Sequence, residues 1–393
     1  MEIKGFRFSA VEAAIKKPGR KDLALIFSEV PAACAAVFTT NKVKAAPVVL
    51  GMERVKNGSL QAVLVNSGNA NACTGQQGLD DARETARLAA EGLGVADEAV
   101  LPSSTGVIGV PLPMERFRAA IPSLIEGLAT GTLDDVARAI MTTDTFPKLE
   151  VRTGTVGDTG YTIAGVAKGA GMVMPSMATM LAFIVTDAAV QPAWLERTFR
   201  RAVDSSFNAI TVDGDTSTND TALIMANGQA GNQPLAEGVA GAVEFAALLN
   251  EILLSLAKAI VKDGEGATKF VAITISGARS DADAKRAALA VANSALVKTA
   301  FFGQDANWGR IFAAVGYSGA EVDPDRLTLA FDEVLMARAG IFAGGDAEAR
   351  GTEVLRQSEF TVTVDLGLGE GRATVYTSDL SYDYVKINAD YRT

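Results

Sequence analysis

The sequence predicts an α/β fold in which layered sheets are covered by helices. Apolar, β-branched runs of strand length alternate along the chain with segments whose apolar residues recur at helical spacing. The run Met180–Val185 lacks polar alternation altogether, as a strand buried on both faces does. With 393 residues, 48% of them hydrophobic and 21% charged, the chain can hold two or three domains with substantial cores.

In order, Leu23–Phe27 and Pro47–Leu50 read as short strands, the second with its proline at the first position, where a strand tolerates it. Gln61–Val65 is a third strand. It runs into Asn66–Gly75, whose Asn and Gly residues favour left-handed backbone and side-chain-to-backbone hydrogen bonds. Leu79–Leu93 has helical spacing and stops at Gly94. Helices follow near Met114–Leu128 and Leu133–Met141, and strands Val151–Val156 and Tyr161–Val166 pair around the turn Gly157-Asp158-Thr159-Gly160. Pro192–Val203 begins a helix with proline in its first turn. Val243–Lys262, apolar at 245, 248, 249, 252, 253, 256 and 260, is the longest helix. Phe270–Ser276 is a strand, and Ser280 or Asp281 caps a helix to about Lys298. Strands Leu327–Phe331, Glu359–Leu366 and Ala373–Thr377 follow, with Gly367, Gly369 and Gly371 read as a hairpin between the last two rather than a dinucleotide-binding loop. A domain boundary is placed near 280, separating residues 1–280 from a smaller C-terminal α/β domain, 281–393.

The formal net charge of -10, with no basic face, argues against a nucleic-acid partner. Cys34 and Cys73 are too few for a disulfide framework and read as buried free thiols. Residues 1–15 carry Glu2 and Lys4 and no apolar signal-peptide core, so the expected location is the cytoplasm. The chain has no histidine. That excludes Ser-His-Asp and Cys-His mechanisms and His-containing zinc sites. Proton transfer near neutral pH then falls to a perturbed carboxylate or lysine, to tyrosine, or to an α-amine, whose ordinary pKa is about 7.7–8.0.

Between Lys168 and Asp187 no residue is charged. Gly169, Gly171 and Pro175 interrupt regular structure, so an irregular loop hands Ala178 and Thr179 to the buried strand. A threonine hydroxyl is a weak nucleophile without a base. Cutting the chain before Thr179 would supply one, its own amine. Two plainer readings compete: a core segment, or a membrane span that the glycines, Pro175 and three hydroxyl residues spoil. Upstream, the pair Thr105-Gly106 after an apolar approach can aim a hydroxyl and a backbone N–H at a developing oxyanion. Lys168 is a candidate for binding a substrate carboxylate as a point charge. Asp213–Asp220 suggests a calcium loop but has Thr218 where glycine is needed and Ile224 where glutamate is, so no metal is expected.

The run KGAGMVMPSMATMLAFIVTDA, starting at Lys168, resembles the signature of the ornithine acetyltransferase (ArgJ) family of arginine biosynthesis. NSGNAN at 66–71, MTTDTFPK at 141–148, DGDTSTND at 213–220, DGEGATK at 263–269, FFGQDANWGR at 301–310 and INADYRT at 387–393 extend the resemblance over nearly the whole chain. It implies self-cleavage between Ala178 and Thr179, with the new N-terminal Thr179 carrying an acetyl group from N2-acetylornithine to L-glutamate. It implies further that Thr105 and Gly106 form the oxyanion hole and that Thr142, Lys168, Thr179, Glu265, Asn388 and Thr393 contact substrate. The family's fold is an αββα sandwich assembled from both fragments, its usual assembly is α2β2, and it has no cofactor; acetyl-CoA stays open as a co-substrate. Two alternatives remain: an N-terminal-nucleophile amidase or aminopeptidase that gives the acyl group to water, and an uncut binding protein.

Overall fold

The computed structural model describes residues 2–174 and 180–390. The chain divides into two compact units, Met1–Asn208 with Asp215–Ile260, and Ala209–Gly214 with Val261–Thr393.

The first unit is organised by a mixed eight-stranded sheet. Its strands are β1 (Phe6–Val11), β2 (Leu23–Phe38), β3 (Ser59–Asn69), β4 (Val100–Val107), β5 (Lys148–Val156), β6 (Thr159–Lys168) and β7 (Leu181–Thr186), with β8 (Ile210–Thr211) passing to the second unit before β9 (Thr221–Ala226) returns. The order is β4-β3-β2-β9-β7-β6-β5, and β1 pairs with β2. Alternation along β2 explains why both faces are dry. Leu23 and Leu25 pack with Ala86, Ala89, Phe117 and Leu124 of the helices Gly75–Leu93 and Met114–Glu126. Ala24 and Ile26 face the opposite way, into a core shared with Val136 and Ala137 of the helix Leu133–Ala139 and with Phe183 and Val185. All six residues of β7 are buried, as the sequence implies. The expected turn joins β5 to β6, with Val156 opposite Thr159. The helix Ala242–Lys262 lies on β6: a Cβ at Gly165 would stand 3.1 Å from Leu256 Cδ1 and 3.2 Å from Ile252 Cγ2.

Three local expectations change. Strand β2 is far longer than Leu23–Phe27, because a register shift between Phe27 and Ala32 accommodates Pro31, which has no N–H to give the ladder. Pro47–Leu50 is not a strand but part of the helix Ala46–Arg54; proline suits a first helical turn as well as a strand start, and four apolar residues cannot distinguish the two. Cys73 is exposed, on left-handed backbone at φ +57°, whereas Cys34 is buried and its thiol is pushed up to about 12 by burial.

The second unit has a seven-stranded sheet in the order β13-β12-β11-β14-β10-β15-β8, from β10 (Phe270–Ala278), β11 (Thr328–Phe331), β12 (Val334–Arg338), β13 (Ile341–Phe342), β14 (Glu359–Asp365), β15 (Gly371–Ser378) and β8. Strand β10 is parallel to β14 and antiparallel to β15. The glycines at 367, 369 and 371 therefore cross over the end of β10 and do not close a hairpin between its two neighbours. Because β10 is paired on both edges inside this sheet, the units change over at Ile260/Val261, earlier in the chain than the expected boundary near 280. The helix expected from Ser280 to about Lys298 is two. Asp281–Ala292 ends at Asn293, and Ser294, whose hydroxyl accepts from the Val297 N–H, caps Ala295–Phe302. Ile273, Ile275, Ala288, Val362 and Val364 centre this core. The fold class is α/β, with two mixed sheets.

Candidate active site

In the first unit the site begins where β3 and β4 end side by side. Gly106 has φ +136°, and a Cβ there would stand 2.2 Å from the Gly68 carbonyl carbon and 2.5 Å from the Asn69 nitrogen. Only glycine fits such an approach. The Asn-rich stretch at the end of β3 is the scaffold of this point. Asn66 Nδ2 donates to the Asn69 carbonyl (2.9 Å) and its Oδ1 accepts from the Ser104 hydroxyl (2.6 Å). Asn69 Oδ1 accepts from the Asn71 N–H (2.8 Å), and Asn219 Nδ2 donates to the carbonyls of Ala70 (2.6 Å) and Ser104 (2.8 Å). These amides are buried. Satisfied buried networks of this kind fix one backbone arrangement.

Lys168 closes β6 and is 2% exposed. Its Nζ donates to the hydroxyls of Thr142 (2.8 Å) and Thr105 (3.4 Å), so three residues singled out in the sequence meet at one ammonium group. Asp144 organises their surroundings. Oδ1 accepts from Lys148 Nζ (2.8 Å) and from the Gly169 N–H (2.7 Å), and Oδ2 accepts from the Thr142 N–H (3.0 Å). Burial would raise the Asp144 carboxyl, but the charges of Lys168 and Lys148, with the hydrogen bonds from Lys148 and Thr142, bring it down to about 2. This cluster sets two ammonium groups against one carboxylate in a dry interior, an arrangement suited to receiving a substrate carboxylate.

Asp220 behaves oppositely. Its Oδ1 accepts from the Met180 N–H (3.1 Å), while the Thr221 N–H donates to the Met180 carbonyl (3.1 Å), so the start of β7 is held from both sides. Among the described residues its buried Oδ2 has no hydrogen-bond partner. Burial pushes this carboxyl well above its ordinary value, against the pull of the Met180 N–H, the Thr39 hydroxyl, the Lys168 charge and the Ser217 hydroxyl. Asp220 is thus a buried carboxyl whose proton affinity is raised by burial, bonded to the N–H of Met180.

In the second unit, Glu265 is 9% exposed and its Oε2 accepts from Asn388 Nδ2 (2.8 Å), which also donates to the Tyr384 carbonyl (3.0 Å). Asn388 belongs to the helix Tyr382–Ala389. Two more expected residues thus meet each other. Ala178, Thr179 and Thr393 lie outside the described residues. Sequence reasoning missed Asp144, Lys148 and Asp220. The first two stand inside the quoted MTTDTFPK segment, four residues apart, and they are its only charged residues, which was the available signal. Asp220 stands directly before an apolar strand, at the end of the segment read above as a failed calcium loop.

The architecture, with two mixed sheets, is that of an α/β protein. An ArgJ family model matches residues 7–393. The arginine biosynthesis bifunctional protein ArgJ of Geobacter sulfurreducens is 76% identical over 393 residues, 100% of both chains, and that of Syntrophotalea carbinolica is 57% identical over 394 residues, again 100% of both. The crystal structure of the corresponding Bacillus halodurans protein is 39% identical with a TM-score of 0.51, covering 53% of this chain and 97% of that one. The chain belongs to the ArgJ family. It is accordingly an acetyltransferase of arginine biosynthesis, and the amidase alternative is not favoured.

Proposed function

We propose that the chain cuts itself between Ala178 and Thr179 and then moves an acetyl group from N2-acetylornithine to L-glutamate through an ester on Thr179. The observation that carries this reading is the buried contact of Lys168 with both Thr142 and Thr105, beside Asp144, at the end of the strand that precedes Thr179 in the chain.

In the first stage Thr179 Oγ attacks the Ala178 carbonyl carbon, the C–N bond breaks as the nitrogen takes a proton, and water hydrolyses the resulting ester. Residues 1–178 and 179–393 become separate chains. In the second stage the free Thr179 amine accepts the hydroxyl proton while Oγ attacks the acetyl carbonyl. The oxyanion is met by the Thr105 hydroxyl and the Gly106 N–H, a kind of donor worth about 100–1000-fold in rate. Ornithine leaves with the proton, and the glutamate amine then takes the acetyl group. Lys168 and Thr142 hold a substrate carboxylate; Glu265, with Asn388 and Thr393, takes the substrate amine. Tight holding of the acceptor also keeps water from the ester.

The reaction so written needs no cofactor and no metal. Acetyl-CoA as a second acetyl donor to Thr179 belongs to the same proposal. The fragments are read as an α2β2 assembly in the cytoplasm; no helix among the described residues is long and apolar enough to cross a membrane.

Intact mass with N-terminal sequencing tests the first stage. Two chains are expected, one beginning Thr-Met-Leu-Ala-Phe, and a single chain for Thr179→Ala. An uncut chain that still transfers acetyl groups overturns the mechanism. Initial-rate lines test the second: parallel lines are expected of a covalent ester, intersecting lines would exclude it.

A further inference from the structure

Glu265 sits on an irregular stretch, residues 263–269, between the helix Ala242–Lys262 and β10. Such a stretch does not fix its own conformation, so the direction of the Glu265 carboxylate has to be set from elsewhere. The bonds that set it come from a segment more than a hundred residues later. Asp379, 3% exposed, follows β15 directly. Its Oδ1 accepts from the backbone N–H groups of Thr268 (2.8 Å) and Lys269 (2.9 Å), and its Oδ2 accepts from the Thr268 hydroxyl. One carboxylate thus takes three donors from two adjacent residues of the loop. Two residues further on, the Ser381 hydroxyl donates to the Gly266 carbonyl. Gly266 is at φ +69°, and a Cβ there would stand 2.5 Å from the Tyr384 nitrogen, so the loop lies against the start of the helix Tyr382–Ala389 with no room for a side chain.

Asp379 is itself anchored. Lys298, buried on the helix Ala295–Phe302, donates through Nζ to the Thr377 hydroxyl (3.0 Å), the Ser378 carbonyl and the Ser378 hydroxyl (3.4 Å), pinning the end of β15 just before Asp379. The Lys298 amine also feels the negative charge of Asp379. The order of support runs from Lys298 to the strand end, from the strand end to Asp379, and from Asp379 to the loop.

We propose that Asp379 is a positioning residue for the amine-binding carboxylate: its three hydrogen bonds to Thr268 and Lys269 hold the loop in which Glu265 points at the substrate amine. This rests on the reading of Glu265 given above. Asp379 acts through the loop and does not touch substrate. Losing it lets Glu265 swing, which weakens substrate binding more than it slows acetyl transfer at Thr179.

The experiment compares Asp379→Ala, Glu265→Gln and the double variant in the full-length protein. For Asp379→Ala the KM for L-glutamate is expected to rise about 10–100-fold, the scale of a misplaced positioning group, with a smaller change in kcat. The Ala178–Thr179 cut, read by intact mass, is expected to be unchanged. The double variant is expected to show little more than the Glu265→Gln effect, because the two residues serve one contact. A normal KM in Asp379→Ala, alongside a raised KM in Glu265→Gln, overturns the proposal and leaves the Glu265 reading intact. Full additivity also overturns it, since Asp379 would then act independently of Glu265. A normal KM in Glu265→Gln sinks the underlying reading, and the proposal with it. If Asp379→Ala does not fold, Asp379→Asn keeps an acceptor for the two N–H groups but loses the charge; a several-fold rise in KM is expected, and none overturns the proposal.

Discussion

The two units hold their site carboxylates by opposite means. In the first, Asp144 is locked between Lys148 and the Gly169 and Thr142 N–H groups, with its side chain and that of Lys148 fully inaccessible. In the second, Glu265 rides on a loop and is steadied by Asn388, an exposed residue. A charge held in a dry interior is tied to the folding of the whole unit, because removing one partner strands the other without solvent. A charge on a loop, held by single hydrogen bonds, can be weakened by degrees while the unit around it stays folded. The first arrangement couples site to stability, and the second couples site to binding.

The largest test of this contrast is Asp144→Asn. It leaves Lys148 and Lys168 as buried ammonium groups without their carboxylate, and the expected loss is about 3–5 kcal/mol of stability, read from urea unfolding near pH 7. The pH dependence carries the same signature. Because Asp144 is lowered from 3.8 to about 2 on folding, its contribution is present above 3.8 and fades as pH falls toward 2. Wild type should lose stability through that window more steeply than Asp144→Asn. Equal slopes would mean the cluster is not what couples the site to the fold. Next comes Gly106→Ala, where the added Cβ would stand 2.2 Å from the Gly68 carbonyl carbon. Displacing the Gly106 N–H is expected to lower single-turnover acetylation of Thr179 by about 100–1000-fold. Acetylation at the wild-type rate would remove Gly106 from the oxyanion hole.

These two residues also mark how far the sequence could be read. Gly106 was singled out by the family resemblance, since a Thr-Gly pair alone is a weak signal, and the strand positions of β3, β6 and β7 follow from apolar runs. Lys168 was legible as a lone charge just beyond the strand read as Tyr161–Val166, and the structure carries that strand through it. The partnership of Asp144 with Lys148 and Lys168 was not, since which charges share a dry pocket depends on strand pairing across the sheet. The break at Asn293–Ser294 shows a weaker version of the same limit. Helical periodicity runs through it, and only the Ser294 hydroxyl taking the Val297 N–H decides that a new helix begins. The helix Ala46–Arg54 was hidden for a simpler reason: Pro47 opens helices and strands alike.

Lys298 shows that the second unit has a buried charge of its own, and sharpens the contrast because this one supports a loop from behind. Burial lowers its amine from 10.5 to about 7, against the pull of Asp379 and Asp213. Between about 7 and 10.5 the unfolded lysine binds a proton that the folded one has released, so stability rises with pH across that window. Lys298→Met should abolish the rise, which thermal unfolding at pH 7 and pH 9.5 would detect. A rise of the same size in Lys298→Met would assign the pH dependence to other groups.

The smallest effect is expected at Asn388. Asn388→Ala removes one neutral donor from the Glu265 carboxylate, so the net loss is about 1 kcal/mol, a factor of roughly five to ten in KM for L-glutamate. Stability should be unchanged, as Asn388 is exposed. Asn388→Asp separates contact from charge. It keeps the shape of the side chain but replaces the donor to Glu265 Oε2 with a second carboxylate. A larger KM increase than in Asn388→Ala is then expected near neutral pH. If both variants bind L-glutamate as wild type does, the loop needs no help from the helix Tyr382–Ala389 and is held by Asp379 and Ser381 alone.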